Sequence, residues 1–209
     1  MPSRLIPLFP LQAVVLPRTS LPLHIFEERY KAMIGDAIRD RSEFGVVLAK
    51  DDGISNLGCT VMVERLLQAY PDGRLDILTR GRRRFRIVTL DQETECLQAE
   101  PEFFDDDDPS PVPQELRDAS LALFAELQPF VDRGVRPAPD LADPQLSFQL
   151  AQFVQEMEWL NSLLAMRSEV ARLQRLNQFL SQYIPRRRAI AQVREAAPTN
   201  GRSRHPAGF

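Results

Sequence analysis

The spacing of apolar positions changes along the chain, and that change divides it. Residues 5–8, 14–16 and 21–25 are short apolar runs, each bounded by proline. In the last of them Leu21, Leu23 and Ile25 alternate with Pro22 and His24, the period-two pattern of a strand with one buried face. Prolines suit strand starts and edges, where no ladder donor is lost. The period then lengthens: Phe26, Tyr30, Met33, Ile34, Ala37 and Ile38 step by threes and fours and share one helical face. Glu27 and Glu28 sit in its first turn and Arg39 and Arg41 at its end, both favourable to the helix dipole. No Ser, Thr, Asp or Asn cap precedes it, so the pattern leaves its first residue open.

Strands are expected again at 44–49, 59–68, 75–78, 85–90 and 97–99, with Asp72-Gly73 as the turn of a hairpin. Within 85–90, Phe85 and Ile87 point one way, and Arg84 and Arg86 point the other, toward solvent. Many short strands with one helix predict a small, partly closed β-barrel.

Composition shifts at residues 102–114, EFFDDDDPSPVPQ. Clustered acids and three prolines read as a solvated, self-repelling linker, with 105–108 a weak attractor of cations at most. Beyond it the pattern is helical. Leu116, Leu121, Leu123, Phe124, Leu127 and Phe130 mark one helix, residues 133–145 a Pro-rich break, and 146–164 a helix in one piece or two. Val170, Leu173, Leu176, Leu180 and Tyr183 mark a last helix, capped by Ser168 and ended by Pro185. The expected organisation is therefore α+β: a β-barrel over 1–103, a linker over 104–114, a helical subdomain over 115–195 and a disordered tail over 196–209. No internal repeat is visible.

Of the 209 residues, 44% are hydrophobic and 26% charged, which is ordinary globular composition. The net charge of -3 weighs against a nucleic-acid partner. No apolar run approaches the roughly 20 residues a membrane helix needs, and the start of the chain lacks the features of a secretory leader. The expected location is cytoplasmic, with Cys59 and Cys96 as free thiols.

The residue types exclude most chemistry. Lys31 and Lys50 are the only lysines, and neither follows a glycine as a phosphate-binding loop requires. His24 and His205 are the only histidines; no G-x-S-x-G elbow is present, and neither lysine has an evident serine partner. No C-x-x-C or H-x-x-H spacing exists. No catalytic, cofactor-binding or metal-binding residue is expected, and the chain reads as no enzyme. His24 is a structural polar residue in this reading, and Glu27 with Arg29 a fold-fixing pair. Arg80, Arg82 and Arg83, followed by Arg84 and Arg86, could contact phosphates on a hairpin; with no aromatic interleaving beyond Phe85 and no basic total charge, the preferred reading is a turn and the solvent face of one strand.

The segments IPLFPLQAVVLP, LPLHIFEERYKAMI and FGVVL, in that order, resemble the N-terminal substrate-binding domain of the Lon protease family. Leu57-Gly58-Cys59-Thr60, Asp72-Gly73-Arg74-Leu75, Gly81-x-x-Arg84-Phe85 and the arginine-rich segment 169–180 before Tyr183 extend the resemblance over residues 4–184. One position departs: Glu28 stands where the family has proline, and both residues suit a first helical turn. The resemblance implies a PUA-like β pseudo-barrel with one helix, followed by an α-helical subdomain. It implies the stand-alone group, without the ATPase and Ser–Lys peptidase domains of full-length Lon. The implied partners are unfolded or tagged proteins and, with them, a proteolytic machine. The apolar density at the start places a candidate peptide-binding surface at Pro7, Phe9, Pro10 and Leu11, with Leu21, Leu23 and Phe26; the competing reading puts Leu23, Ile25, Phe26 and Tyr30 in the core. An RNA-binding PUA-like module, with Arg80, Arg82 and Arg83 as contacts, is the alternative, and an oligomerising part of a larger assembly is the third class.

Overall fold

Two 17-residue strands, β4 (Gly53–Ala69) and β5 (Leu75–Asp91), form the longest element of the molecule. They are joined by a turn in which Gly73, at φ +83°, supplies the left-handed residue and Tyr70 closes the loop onto Arg74. The computed structural model describes residues 5–131 and 137–196. Part of the expected Pro-rich break and the tail beyond residue 196 lie outside the described residues.

β1 (Ile6–Leu11), β2 (Ser20–Ile25), β3 (Phe44–Lys50) and β6 (Gln98–Phe104) complete one sheet in the order β2-β5-β4-β3-β1-β6. Its closure follows from the length of β5. The first half of that strand pairs with β2, and the second half pairs with β6, which also reaches β1. Register shifts in β4 and β5 bend the long hairpin so that it can do both. The expected strands at 75–78 and 85–90 are thus one strand. The Gly81-Arg82-Arg83 stretch between them looks like a break, yet ladders on both sides hold it extended. The expected strand at 14–16 is instead a loop. Thr19 Oγ1 donates to Leu16 O at 2.8 Å and tightens it.

α1 (Glu28–Asp40) covers one face of the sheet. Tyr30, Met33, Ile34 and Ala37 are buried against Phe9, Phe44, Cys59 and Ile77, as the three- and four-residue spacing requires. The helical half comprises α2 (Gln114–Leu127), α3 (Leu146–Ala151), α4 (Met157–Leu164) and α5 (Glu169–Ala196) around a core of its own. Residues 146–164 therefore hold two helices. Ser168 Oγ accepts the Ala171 N–H at 3.2 Å and caps α5. Pro185 does not end that helix, which runs on to Ala196. An exposed proline forfeits one backbone bond and crowds one carbonyl, a local cost that the rest of a 28-residue helix outweighs.

The acidic segment is not a solvated linker. Asp106 accepts Arg84 Nη2 at 2.7 Å and both Arg172 Nη1 and Nη2 at 2.5 Å. Arg84 is 2% exposed and Arg172 0%. Two buried guanidinium groups require a counter-charge and acceptors for their donors, so the segment folds back onto them. Arg84 also donates to the carbonyls of Leu164 and Met166. The expected solvent face of β5 is corrected here: Arg84 faces the helical half. The loop before β2 joins the two halves as well, with Val15 in the barrel core and Leu16 in the helical core.

Candidate recognition surface

The residues expected to form a peptide-binding surface do not form one together. β1 pairs with β3 on one edge and β6 on the other, which makes it an interior strand of the barrel. Its alternate side chains must point inward: Phe9 is 6% exposed, its ring 4.3 Å from that of Tyr30. Leu21 is buried too. Pro7, Pro10, Leu11 and Leu23 are half-buried, and Phe26 is 60% exposed. The apolar density at the chain start is thus largely barrel core. Leu11 and Leu23 pack against that core as well.

The basic stretch is mostly charge-matched. Arg80 pairs with Glu64 at 3.5 Å. Arg83 pairs with Glu43 at 3.1 Å and lies 3.8 Å from the centroid of the Phe103 ring. Arg82 is exposed. These three positions therefore present no concentrated positive field.

Three exposed large apolar side chains, Leu66, Leu67 and Phe26, lie toward one end of the sheet, while Val88 and Phe103 are exposed elsewhere on β5 and β6. The registers set Leu66 beside Ile77 and Ile77 beside Leu23; Gln68, Asp76 and His24 align in the same way. Leu66 is 51% exposed and Leu67 46%. Their adjacency between Arg65 and Gln68 breaks the strand alternation, the one signal in the sequence that could have marked them. Leu66 also lines a groove of about 220 Å³ between α1 and β4, with Ala37, Ile38 and Val63.

A polar row is built into the same end. His24 Nδ1 lies 2.6 Å from Asp76 Oδ1, and the Tyr70 hydroxyl donates to Asp76 Oδ2 at 2.7 Å. The His24 ring stacks on Phe26 at 6.0 Å and meets the edge of Tyr70 at 6.1 Å. The bond from His24, then that from Tyr70, holds the Asp76 carboxyl below its usual range; the same carboxylate pushes the Tyr70 phenol up. The row fixes aromatic and imidazole groups at the surface, a recognition chemistry. Among the described residues no group of His, Cys, Asp and Glu is arranged to hold a metal ion, and no helix is long and apolar enough to cross a membrane.

A closed mixed sheet packed on a helical bundle, with accessible apolar and aromatic groups at one sheet end, defines an α+β recognition module. The chain belongs to the ATP-dependent protease La (LON) substrate-binding domain family, whose model matches residues 5–182. Among curated proteins it is similar to Lon protease 2 of Myxococcus xanthus, 31% identical over 112 residues, and to Lon protease of Anaeromyxobacter dehalogenans, 32% identical over 110 residues. Those matches cover 49% and 48% of this chain and 13% of each relative's length. Among solved structures it is similar to a Lon N-terminal domain protein from Xanthomonas campestris, with TM-score 0.67 and 27% identity over 83% of this chain and 96% of that one. The N-terminal domain of Mycobacterium avium complex Lon protease shares the fold, with TM-score 0.61 and 16% identity over 85% and 98% of the two chains.

Proposed function

We propose that this chain is a non-catalytic module that binds unfolded or tagged protein segments and serves a proteolytic machine in the cytoplasm. The observation that carries the reading is the family match over residues 5–182, which spans both the barrel and the helical half. The exposed apolar end supports it: Leu66, Leu67 and Phe26 offer contacts that accept variable sequences. The β half is read as a PUA-like pseudo-barrel. Matching only 13% of the curated relatives' length, the chain takes no ATPase or peptidase activity from them.

The test is retention of one client protein in two states, native and permanently unfolded by reduction and alkylation. The unfolded form is expected to be enriched on the immobilised chain. Replacing both Leu66 and Leu67 by serine is expected to lower its retention about fivefold, the equivalent of roughly 1 kcal/mol at a binding surface. Equal retention of the two client forms overturns the reading.

A further inference from the structure

β2 is the end strand of the sheet and pairs with β5 alone among the described residues. The phase of its ladder can be read from its start, where Gly81 N–H donates to Thr19 O at 2.9 Å. Antiparallel partners alternate between bonded and non-bonded pairs. Thr19 opposite Gly81 is bonded, so Leu21, Leu23 and Ile25, opposite Thr79, Ile77 and Leu75, are bonded pairs as well. Ser20, Pro22 and His24 then turn their main-chain groups away from β5. Pro22 fits this phase, because a ring in place of an outward N–H costs the β5 ladder nothing.

Only part of that edge is open. Ser20 is buried beside Arg80, Pro137 and Gln149, around a cavity of about 60 Å³. Pro22 and Leu23 are half-exposed, and His24 and Phe26 are exposed. The open stretch therefore presents the Pro22 carbonyl, the His24 N–H and the His24 carbonyl in strand spacing, with the Phe26 ring beyond them.

We propose that this stretch of β2 takes up an extended, proline-free peptide segment by strand addition, with an apolar peptide side chain against Phe26. The proposal rests on the peptide-binding reading above and deepens it. A row of two acceptors and one donor at strand spacing is completed by another extended main chain. Such bonds read the backbone and not the sequence, which suits clients of variable sequence. Pro22, with no donor, shortens the contact and opposes the long edge-to-edge pairing that would join two copies of the chain. Asp76 holds His24, and His24 stacks on Phe26, so the side-chain anchor is ordered before a peptide arrives.

The experiment uses the full chain and a fluorescent peptide of about ten residues, alternating valine and threonine. Its twin carries ester linkages in place of the central amides, which removes peptide N–H donors without adding bulk. The parent is expected to bind and the twin to bind about tenfold more weakly, from the loss of two hydrogen bonds. His24→Pro deletes the outward N–H and is expected to weaken the parent peptide by a similar factor, and by more than His24→Ala, which keeps that donor and removes only the ring stacked on Phe26. If His24→Pro fails to fold, the parent and twin on the unaltered chain still decide. Equal binding of parent and twin overturns the proposal, as does binding of unfolded client without binding of the parent peptide. A dimer in sedimentation that His24→Pro dissolves also overturns it, by giving the edge to a second copy. If neither the peptide nor unfolded client binds, the peptide-binding reading itself fails.

Discussion

Arg84, Arg172 and Asp106 show how far one residue's environment can depart from its letter. In Gly81-Arg82-Arg83-Arg84-Phe85 three arginines stand in a row, and the alternation of the strand separates Arg83 from its neighbours. Nothing in the spacing distinguishes exposed Arg82 from buried Arg84, two residues on, because the helical half that covers one and not the other arrives from about eighty residues away. The acids of 105–108 are equally uninformative as letters. Burial opposes the Asp106 charge, but the bonds and charges of Arg172 and Arg84 outweigh it and hold that carboxyl low. Asp108 accepts the Ser110 N–H at 3.0 Å and the Ser168 hydroxyl at 2.6 Å, and its pKa falls from 3.8 to about 2. A carboxyl depressed in the folded state contributes stability that is fully present above its unfolded value and lost as pH falls through its folded value. The Asp108 contribution is thus present above pH 4 and lost toward pH 2. Asp108→Asn is expected to flatten the stability profile in that window and leave its slope at neutral pH unchanged. Urea unfolding across pH 2 to 5 is the measurement, and an unaltered slope below pH 4 contradicts the assignment.

Among the elements, α1 was the most legible. Five of the six apolar positions expected on its face lie within it and include the four buried ones; Phe26, expected to open that face, lies before the helix and is 60% exposed. β2 was legible for the same reason. β5 was not, because a glycine and a run of arginines interrupt its alternation; the ladders with β4, β2 and β6 hold it as one strand. Gly81 has a physical requirement there. A Cβ at that position would lie 2.1 Å from the Leu16 carbonyl oxygen, a backbone atom that cannot swing aside. Gly81→Ala is expected to destabilise the fold by about 3 kcal/mol, the upper end of the overpacking range, since the loop before β2 must move. Chemical denaturation of the variant checks this, and a loss below about 1 kcal/mol would show that the loop yields easily. Pro185 does not mark the end of α5, because a proline stop is a local rule and an exposed face tolerates its cost.

At the scale of the molecule, the barrel and the helical half are joined by an apolar residue and by a set of polar bridges, among them Lys50–Glu158, Arg18–Asp143 and Asn161–Ser55. Leu16 leaves the barrel to join the helical core, and the Arg84–Asp106–Arg172 bridge spans the same junction. Removing one partner of a buried ion pair leaves an uncompensated charge and costs about 3–5 kcal/mol. Asp106→Asn is expected to lose that much and to release both halves together. Trp159 fluorescence reports the helical half and alkylation of Cys59 the barrel; burial pushes that thiol up to about 12, so it reacts only on opening. Coincident transitions from the two probes are the expected result, and separated ones would show that the halves unfold independently.

The sequence by itself determined the succession of a β-rich half and a helical half, the buried face of α1, the absence of known catalytic spacings and the resemblance to a Lon-type substrate-binding domain. Each of these is carried by local periodicity or by motifs in order along the chain. Tertiary structure alone decided that the apolar start is an interior strand, that an acidic stretch is the counter-charge of two buried arginines, and that Leu66, Leu67 and Phe26 are left accessible. Burial depends on which elements cover a residue, and those elements come from distant parts of the chain.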